Sequence, residues 1–156
     1  MTEFTFDIFG GTPGQDEAFR ATLDAAIAAA GPQVRMHGPY QPADLPQHLG
    51  AIDWVIVPSI WWENAPLVIL EALLNARPVI CSGIGGMAEL VDDGQTGLHF
   101  RAGDAGSLMH TMRRAIDESG LWDRLATGLS VDARAAMTIK AAAERHLASY
   151  ERLLAA

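Results

Sequence analysis

Short runs of continuous apolar residues alternate along this chain with longer stretches in which apolar positions recur every three or four residues. Runs of the first kind read as buried strands and stretches of the second as helices. Their alternation predicts βαβ units around a largely parallel sheet. "FTFDIFGG" is a strand ended by two glycines, and "GQDEAFRATLDAAIAAAG" a helix with an acidic first turn, an Ala-rich body and a closing Gly31. "QVRMHG" is a short strand and "PADLPQHLGA" a short helix with Pro46 near its start. "DWVIVPS" is a strand rich in β-branched and aromatic residues, and "APLVILEALLNA" a helix with Pro66 in its first turn. "PVICSG" is a further buried strand, followed by the glycine-rich turn "GIGGMAEL" and the short strand "TGLHF". "GDAGSLMHTMRRAIDES" is amphipathic, with Leu108, Met112, Ala115 and Ile116 on one face, and the remainder is helical, with a last helix over about residues 138–155. No internal repeat or linker interrupts the series, so the expectation is one α/β domain over residues 1–156.

Within this pattern one stretch is anomalous. "SIWWENAPLVILEAL" places Glu63 and Glu71 among some of the most apolar neighbours in the chain. Every other residue from Leu67 to Leu74 is apolar, which predicts a helix buried on most of its surface. A carboxylate there loses hydration unless hydrogen bonds or a cation replace it. For Glu71 the structural solution is a pair with Arg77 or Arg35, or a cap for a neighbouring loop. The functional one is a ligand diol, since a carboxylate accepts two hydrogen bonds at the spacing of vicinal hydroxyls. Glu63 precedes Pro66, near the positive end of the helix dipole. It reads equally as a favourable N-terminal acid, with Asn64 as N-cap. Ligands of open parallel sheets bind outside the carboxyl ends of the strands, and Ser59–Pro66 and Gly83–Glu89 both follow strands immediately, on one rim.

Composition narrows the chemistry. A formal net charge of −8 and a single lysine, Lys140, argue against a sequence-independent grip on nucleic acid. Acidity leaves a small anion possible, held by backbone N–H groups at a helix N-terminus but short of counter-charge. One cysteine, Cys81, excludes an intramolecular disulfide, reads as inert core and fits a reducing, cytoplasmic setting. No apolar run reaches the length of a membrane span, and the N-terminus lacks a signal pattern. The five histidines show no metal-ligand spacing, so no metal is expected. Trp61 and Trp62 either line a wall of the site or, as loop tryptophans more often do, pack inside.

Taken in order, "PS-x-x-x-E-N-x-P-x-x-x-x-E-A", then "PVI", then "GGMAELVDDGQTGLHF-x-x-GD" resembles the C-terminal, donor-binding domain of the retaining glycosyltransferases of group 1, family 4. The likeness runs from about Val34 to Tyr150, and the seven residues between Glu63 and Glu71 match the family's spacing. The resemblance implies a GT-B fold, this chain being its Rossmann-like, doubly wound half, and a site for a UDP-, GDP- or ADP-sugar without a resident cofactor. Glu71 would hold the ribose hydroxyls. Glu63, in the catalytic position, would meet hydroxyls of the donor sugar near the reacting carbon. Backbone N–H groups of Asn64 and Ala65 would face the diphosphate or sugar. Gly85 and Gly86 match the family's close-approach turn, where a Cβ would obstruct the donor, though an ordinary strand-to-helix turn needs them too. Ser59 would touch phosphate or act as a local cap. Glu89 fits a family position but reads better as a solvated helix acid, and the base would lie near Gly38–Tyr40.

The sequence also departs from the family. The first strand of the domain, with its basic pair, has no counterpart before "TEFTFDIFGG", and neither has the N-terminal GT-B domain that binds acceptor. That implies a piece of a longer enzyme, inactive alone, with any membrane association left to the absent domain. The lost strand is central in the order 3-2-1-4-5-6, so "FTFDIF" would close onto "DWVIV", or a homo-oligomer or strand exchange would supply pairing. Ala76 replaces a usual glycine, which an alanine tolerates if the helix exit avoids positive φ. Two other functions remain: a non-catalytic nucleotide-binding or interaction module, and a dinucleotide-binding oxidoreductase domain suggested weakly by "GGTPG".

Overall fold

The computed structural model describes residues 4–155. These divide into two compact units, one running up to Gln47 and the other starting at His48.

The first unit holds β1 (Phe6–Phe9), α1 (Glu17–Ala30) and β2 (Val34–Gly38). The strands run parallel with Phe6 opposite Val34, and α1 connects them. Asp16 caps α1 by accepting the Phe19 N–H at 2.7 Å, and Gly31, at φ 88°, ends it. No residue of β1, α1 or β2 is fully buried. At the carboxyl ends of the strands Phe9 stacks on His37 with centroids 4.6 Å apart and meets Tyr40 edge-on at 6.3 Å. A 3-10 turn over Pro42–Asp44 then leads into α2 (Leu45–Gly50).

The second unit is built on β3 (Val55–Val57), β4 (Val79–Ser82) and β5 (Gly97–Phe100), parallel in the order β3-β4-β5. Both faces of this sheet are covered, as its near-continuous apolar strands require. Ile56, Ile80 and Leu98 share one face with Phe100, and there they meet Leu108, Met112 and Ala115 of α5 (Ala105–Asp117) and Leu121 and Leu125 of α6 (Leu121–Gly128). The opposite face carries Val55, Val57, Val79 and Cys81, all buried. Packed against β3 and β4 is α3 (Leu67–Leu74), and α4 (Gly85–Leu90) packs against β4. Gly97 is a required glycine: a Cβ there would overlap the Val79 carbonyl of the neighbouring strand. Two last helices, α7 (Val131–Ala135) and α8 (Ile139–Leu154), are capped by Ser130 and Thr138. No helix among the described residues is long and apolar enough to cross a membrane.

The alternation of strand and helix follows the sequence reading, with five differences. Where one doubly wound sheet was expected, the described strands form two sheets, β1-β2 and β3-β4-β5. "GGMAEL", expected as a turn, is the helix α4, because Gly85 takes φ 53° and turns the chain straight into it. Pro66 precedes the first turn of α3 and is itself the N-cap, so Asn64 is not the cap. Burial of α3 is confined to the stripe Ile69, Ala72 and Leu73, while Leu67 is 70% exposed. Finally, Ala76 has φ 55°, so the alanine sits in the left-handed region that the expected glycine would fill without strain.

Candidate functional site

The segment after β3 and the segment after β4 lie at the carboxyl ends of adjacent parallel strands, and hydrogen bonds lock the first of them in place. The Ser59 hydroxyl accepts the Trp61 N–H at 3.2 Å and donates to Glu63 Oε1 at 3.3 Å. The Glu63 N–H donates to the Trp61 carbonyl at 2.9 Å, and the Glu63 carbonyl accepts the Gly86 N–H at 2.7 Å. Ser59 is therefore a positioning residue for Glu63. Of the two carboxylate oxygens of Glu63, one takes the serine hydroxyl and the other makes no hydrogen bond among the described residues.

Gly85 and Gly86 seat this loop from below. A Cβ on Gly86 would overlap the backbone carbonyl of Asn64, and one on Gly85 would approach the Glu63 carbonyl to 3.0 Å. The resemblance implies glycine here to clear space for a donor, and a strand-to-helix turn asks for it too. The structure adds that a Cβ would also meet the backbone of the Glu63 loop. The pair acts on the site through that loop.

Asn64 and Ala65 are exposed, and their N–H groups make no hydrogen bond among the described residues. They stand immediately before α3, at its positive end. Glu71 lies in the second turn of the same helix, half-buried on the stripe that also carries the exposed Leu67. The Cα–Cβ bonds of a helix tilt toward its N-terminus, which for Glu71 is the end of α3 at the rim. Among the described residues its carboxylate makes neither a hydrogen bond nor an ion pair. The nearby arginines are engaged elsewhere. Arg77 donates to the Gly50 carbonyl at 3.5 Å and sits over the Trp122 ring, and Arg134 donates to the carbonyls of Leu129 and Leu74. A pair of Glu71 with Arg77 is not among the ion pairs of the described residues.

Two further residues depart from or refine the sequence reading. Trp61 and Trp62, expected more often to pack inside, are 74% and 73% exposed. Ser82, which ends β4 next to the glycine pair, is fully buried with its hydroxyl unpartnered among the described residues. The sequence reading passed over it, because a serine ending a strand carries no distinguishing signal. Cys81 is inert core as read. Burial, then the charge of Asp93, pushes its thiol up to about 12. Glu89 is exposed on α4. No group of three or more His, Cys, Asp and Glu among the described residues is placed to hold a metal.

The doubly covered parallel sheet is Rossmann-like, and its solved neighbours are GT-B glycosyltransferases. The Anabaena protein HepE in complex with UDP superimposes with a TM-score of 0.85 at 23% identity, over 96% of this chain and 41% of that one. Sucrose-phosphate synthase of Thermosynechococcus elongatus follows the same fold, with a TM-score of 0.79 at 25% identity over 96% of this chain and 38% of that one. Within that class, the sequence model described as "Glycosyl transferases group 1" matches residues 1–118, and the chain belongs to that family as its C-terminal domain. A D-inositol 3-phosphate glycosyltransferase of a Nocardioides species is 34% identical over 112 residues, which is 72% of this chain and 24% of the relative. The 2-deoxystreptamine glucosyltransferase of Streptomyces kanamyceticus is 30% identical over 118 residues, 74% of this chain and 29% of the relative. The chain therefore matches 24% and 29% of the length of these two curated relatives.

Proposed function

We propose that this chain is the donor-binding half of a retaining glycosyltransferase. It would take a UDP-, GDP- or ADP-sugar, with both units belonging to one nucleotide-sugar-binding domain and no resident cofactor. One observation carries the reading: the Glu71 carboxylate, in the second turn of the helix that starts at the rim, makes no hydrogen bond or ion pair among the described residues. A ribose diol supplies the two donors such a group lacks. The spacing of Glu63 and Glu71, with seven residues between them, supports the same assignment and the retaining class. HepE, a structural neighbour, is seen with UDP and with UDP-glucose, which favours a uridine donor.

The phosphates would meet the free N–H groups of Asn64 and Ala65 at the positive end of α3. Basic groups are sparse along this rim. Arg101, directly after β5, is engaged with Asp104 at 3.1 Å. A leaving diphosphate develops charge that preorganised donors must meet, so transfer would need groups beyond those of this chain, such as an acceptor-side domain. A cytoplasmic location belongs to the same reading.

The oxidoreductase alternative is disfavoured by α1. Its N-terminus, where a pyrophosphate would sit, already holds the carboxylate of Asp16.

Calorimetry with UDP, GDP and ADP tests the proposal. One of them should bind, and Glu71→Gln should weaken it about tenfold, since an amide keeps one acceptor oxygen for a diol and loses the charge. Glu63→Ala should leave bare nucleotide affinity nearly unchanged, because its target is the sugar. A falling melting temperature for Glu71→Gln, with affinity intact, would show Glu71 to be structural and end the reading.

A further inference from the structure

The helix α4 has six residues, too few to hold a helical shape unaided in water, so the rest of the fold must fix its ends. Its N-terminal end carries a task, since the Gly86 N–H donates to the Glu63 carbonyl at 2.7 Å. The other end is held by His99, which stands on β5 opposite Cys81 of β4. The imidazole Nε2 of His99 lies 2.8 Å from the carbonyl of Val91, the C-cap of α4. Val91 is wholly removed from water, so its carbonyl depends on the protein for a donor. A carbonyl only accepts, so Nε2 is the protonated nitrogen and the ring is the donor.

His99 is itself tied down. Its backbone N–H donates to Asp93 Oδ1 at 2.9 Å. Its Cβ lies 3.4 Å, and its ring atoms Cγ and Nδ1 3.6 Å, from where a Cβ on Gly83 would stand. Gly83 leads from β4 toward the glycine pair, and Val91 is the exit from α4. One side chain thus meets the chain on its way into the short helix and on its way out. The other members of β5 are all buried, and an aliphatic residue would fill the place equally well by size. Only a side-chain donor answers the Val91 carbonyl.

We propose that His99 is a positioning residue for the donor site: by holding the Val91 carbonyl it fixes α4, and through Gly86 it fixes the backbone at Glu63. It touches no substrate. Its effect on ligand affinity rests on the donor-binding reading, in which Glu63 serves the sugar. The link from His99 to Gly86 stands apart from that reading.

The test compares His99→Leu, which fills the space without a donor, with His99→Gln, whose amide nitrogen reaches the place of Nε2. Hydrogen exchange at the Gly86 amide, followed by NMR in the unliganded chain, should be about tenfold faster in His99→Leu and close to the wild-type rate in His99→Gln. Calorimetry of the full chain uses UDP, GDP and ADP, then UDP-glucose, GDP-mannose and ADP-glucose. His99→Leu should weaken the sugar nucleotide about tenfold more than the matching diphosphate, and His99→Gln should restore it. Leu125→Ala, a core truncation on the other face of the sheet, should lower the melting temperature without changing that ratio. Should His99→Leu fail to fold, the imidazole nitrogen shifts of the wild type decide, with the proton expected on Nε2. A proton on Nδ1 instead, unchanged Gly86 exchange in His99→Leu, equal losses for the two ligands, or no loss for either would overturn the positioning role. So would a Leu125→Ala variant that changes the ratio as much. Failure of the wild type to bind any of the three bare diphosphates would overturn the donor-binding reading, and the Gly86 exchange would still judge the link from His99.

Discussion

The unit starting at His48 and the unit ending at Gln47 use the same local devices and reach different degrees of burial. Both have parallel strands joined by a helix, and both cap helices with an acidic or hydroxylated side chain. Beyond His48, Ile69, Leu73, Met87, Leu121 and Leu125 are wholly removed from water, and the sheet is covered on both faces. Before Gln47 no residue of β1, α1 or β2 is fully buried, and Phe19 of α1 is 48% exposed. Caps and strand pairing shape an element, but packing of apolar surface supplies most of its stability. The candidate site shows the benefit of the second arrangement. Glu63, Glu71 and the glycine pair all stand on elements anchored in the buried sheet, which can hold a carboxylate where a ligand requires it.

The comparison breaks most directly by core truncation. Leu73→Ala removes a fully buried side chain and should cost about 3 kcal/mol. Ile8→Ala, at a partly buried position of β1, should cost about 1 kcal/mol, because much of its surface never leaves water. Urea unfolding of the two variants measures the difference. Equal costs would mean that the first unit has a core of its own that its exposure hides.

Glycines sharpen the same contrast at smaller scale. Gly86→Ala drives a methyl into the Asn64 carbonyl and must displace the Glu63 loop, at about 1–3 kcal/mol together with loss of sugar-nucleotide affinity. Gly14, at φ 77° in the first unit, has open space around its would-be Cβ. Gly14→Ala should therefore cost only about 1 kcal/mol, from backbone strain alone. Thermal melts and calorimetry of the two variants would separate collision from strain. If both lost the same stability and neither lost affinity, Gly86 would not be bracing the site.

Much of this was legible in the sequence because it is periodic. The order of strands and helices, Gly31 closing α1 and the last helix all follow from local patterns of apolar and turn residues. The paired glutamates were legible because carboxylates are costly in apolar company. What escaped depends on contacts between segments distant in sequence. Spacing places a glycine pair after β4, but only the folded chain shows that Gly86 lies against the Asn64 carbonyl. Leu67 to Leu74 reads as a helix buried on most of its surface, yet burial is confined to one stripe, and composition does not say which flank is left bare. Trp61 and Trp62 misled for the same reason: apolar character favours burial on average, and a braced loop at a rim overrides it.

Ala76 gives a smaller effect of opposite sign. At φ 55° its Cβ crowds the neighbouring carbonyl, a strain of about 1–2 kcal/mol that glycine avoids. Part of that gain is lost because glycine also loosens the unfolded chain. Ala76→Gly should thus stabilise by somewhat under 1 kcal/mol, seen as a rise of a few degrees in Tm. Because α3 ends here, the rise should come without a change in nucleotide affinity. A fall in Tm would mean that the helix exit relaxes away from the left-handed conformation.

The smallest effect expected is electrostatic, and it separates surface from core within the unit starting at His48. Glu118 accepts from Arg124 at 2.8 Å and from Arg114 at 2.8 Å, joining α5 to the α6 that follows. The hydrogen bond from Arg124, then that from Arg114, holds its carboxyl below its ordinary 4.5. For an acid whose folded value is depressed, the contribution is fully present above the unfolded value and is lost as pH falls through the folded one. Glu118→Gln should therefore lower Tm slightly at pH 7. The difference from the parent should shrink below pH 4.5, vanish once both forms are neutral, and diminish in 1 M salt (all conditions of the proposed titration). The cost of Leu73→Ala should persist across the same pH and salt range, since dispersion and burial do not titrate. Matching pH profiles for the two variants would place the stability of this unit in its charges, against the division between a buried sheet and a solvated surface.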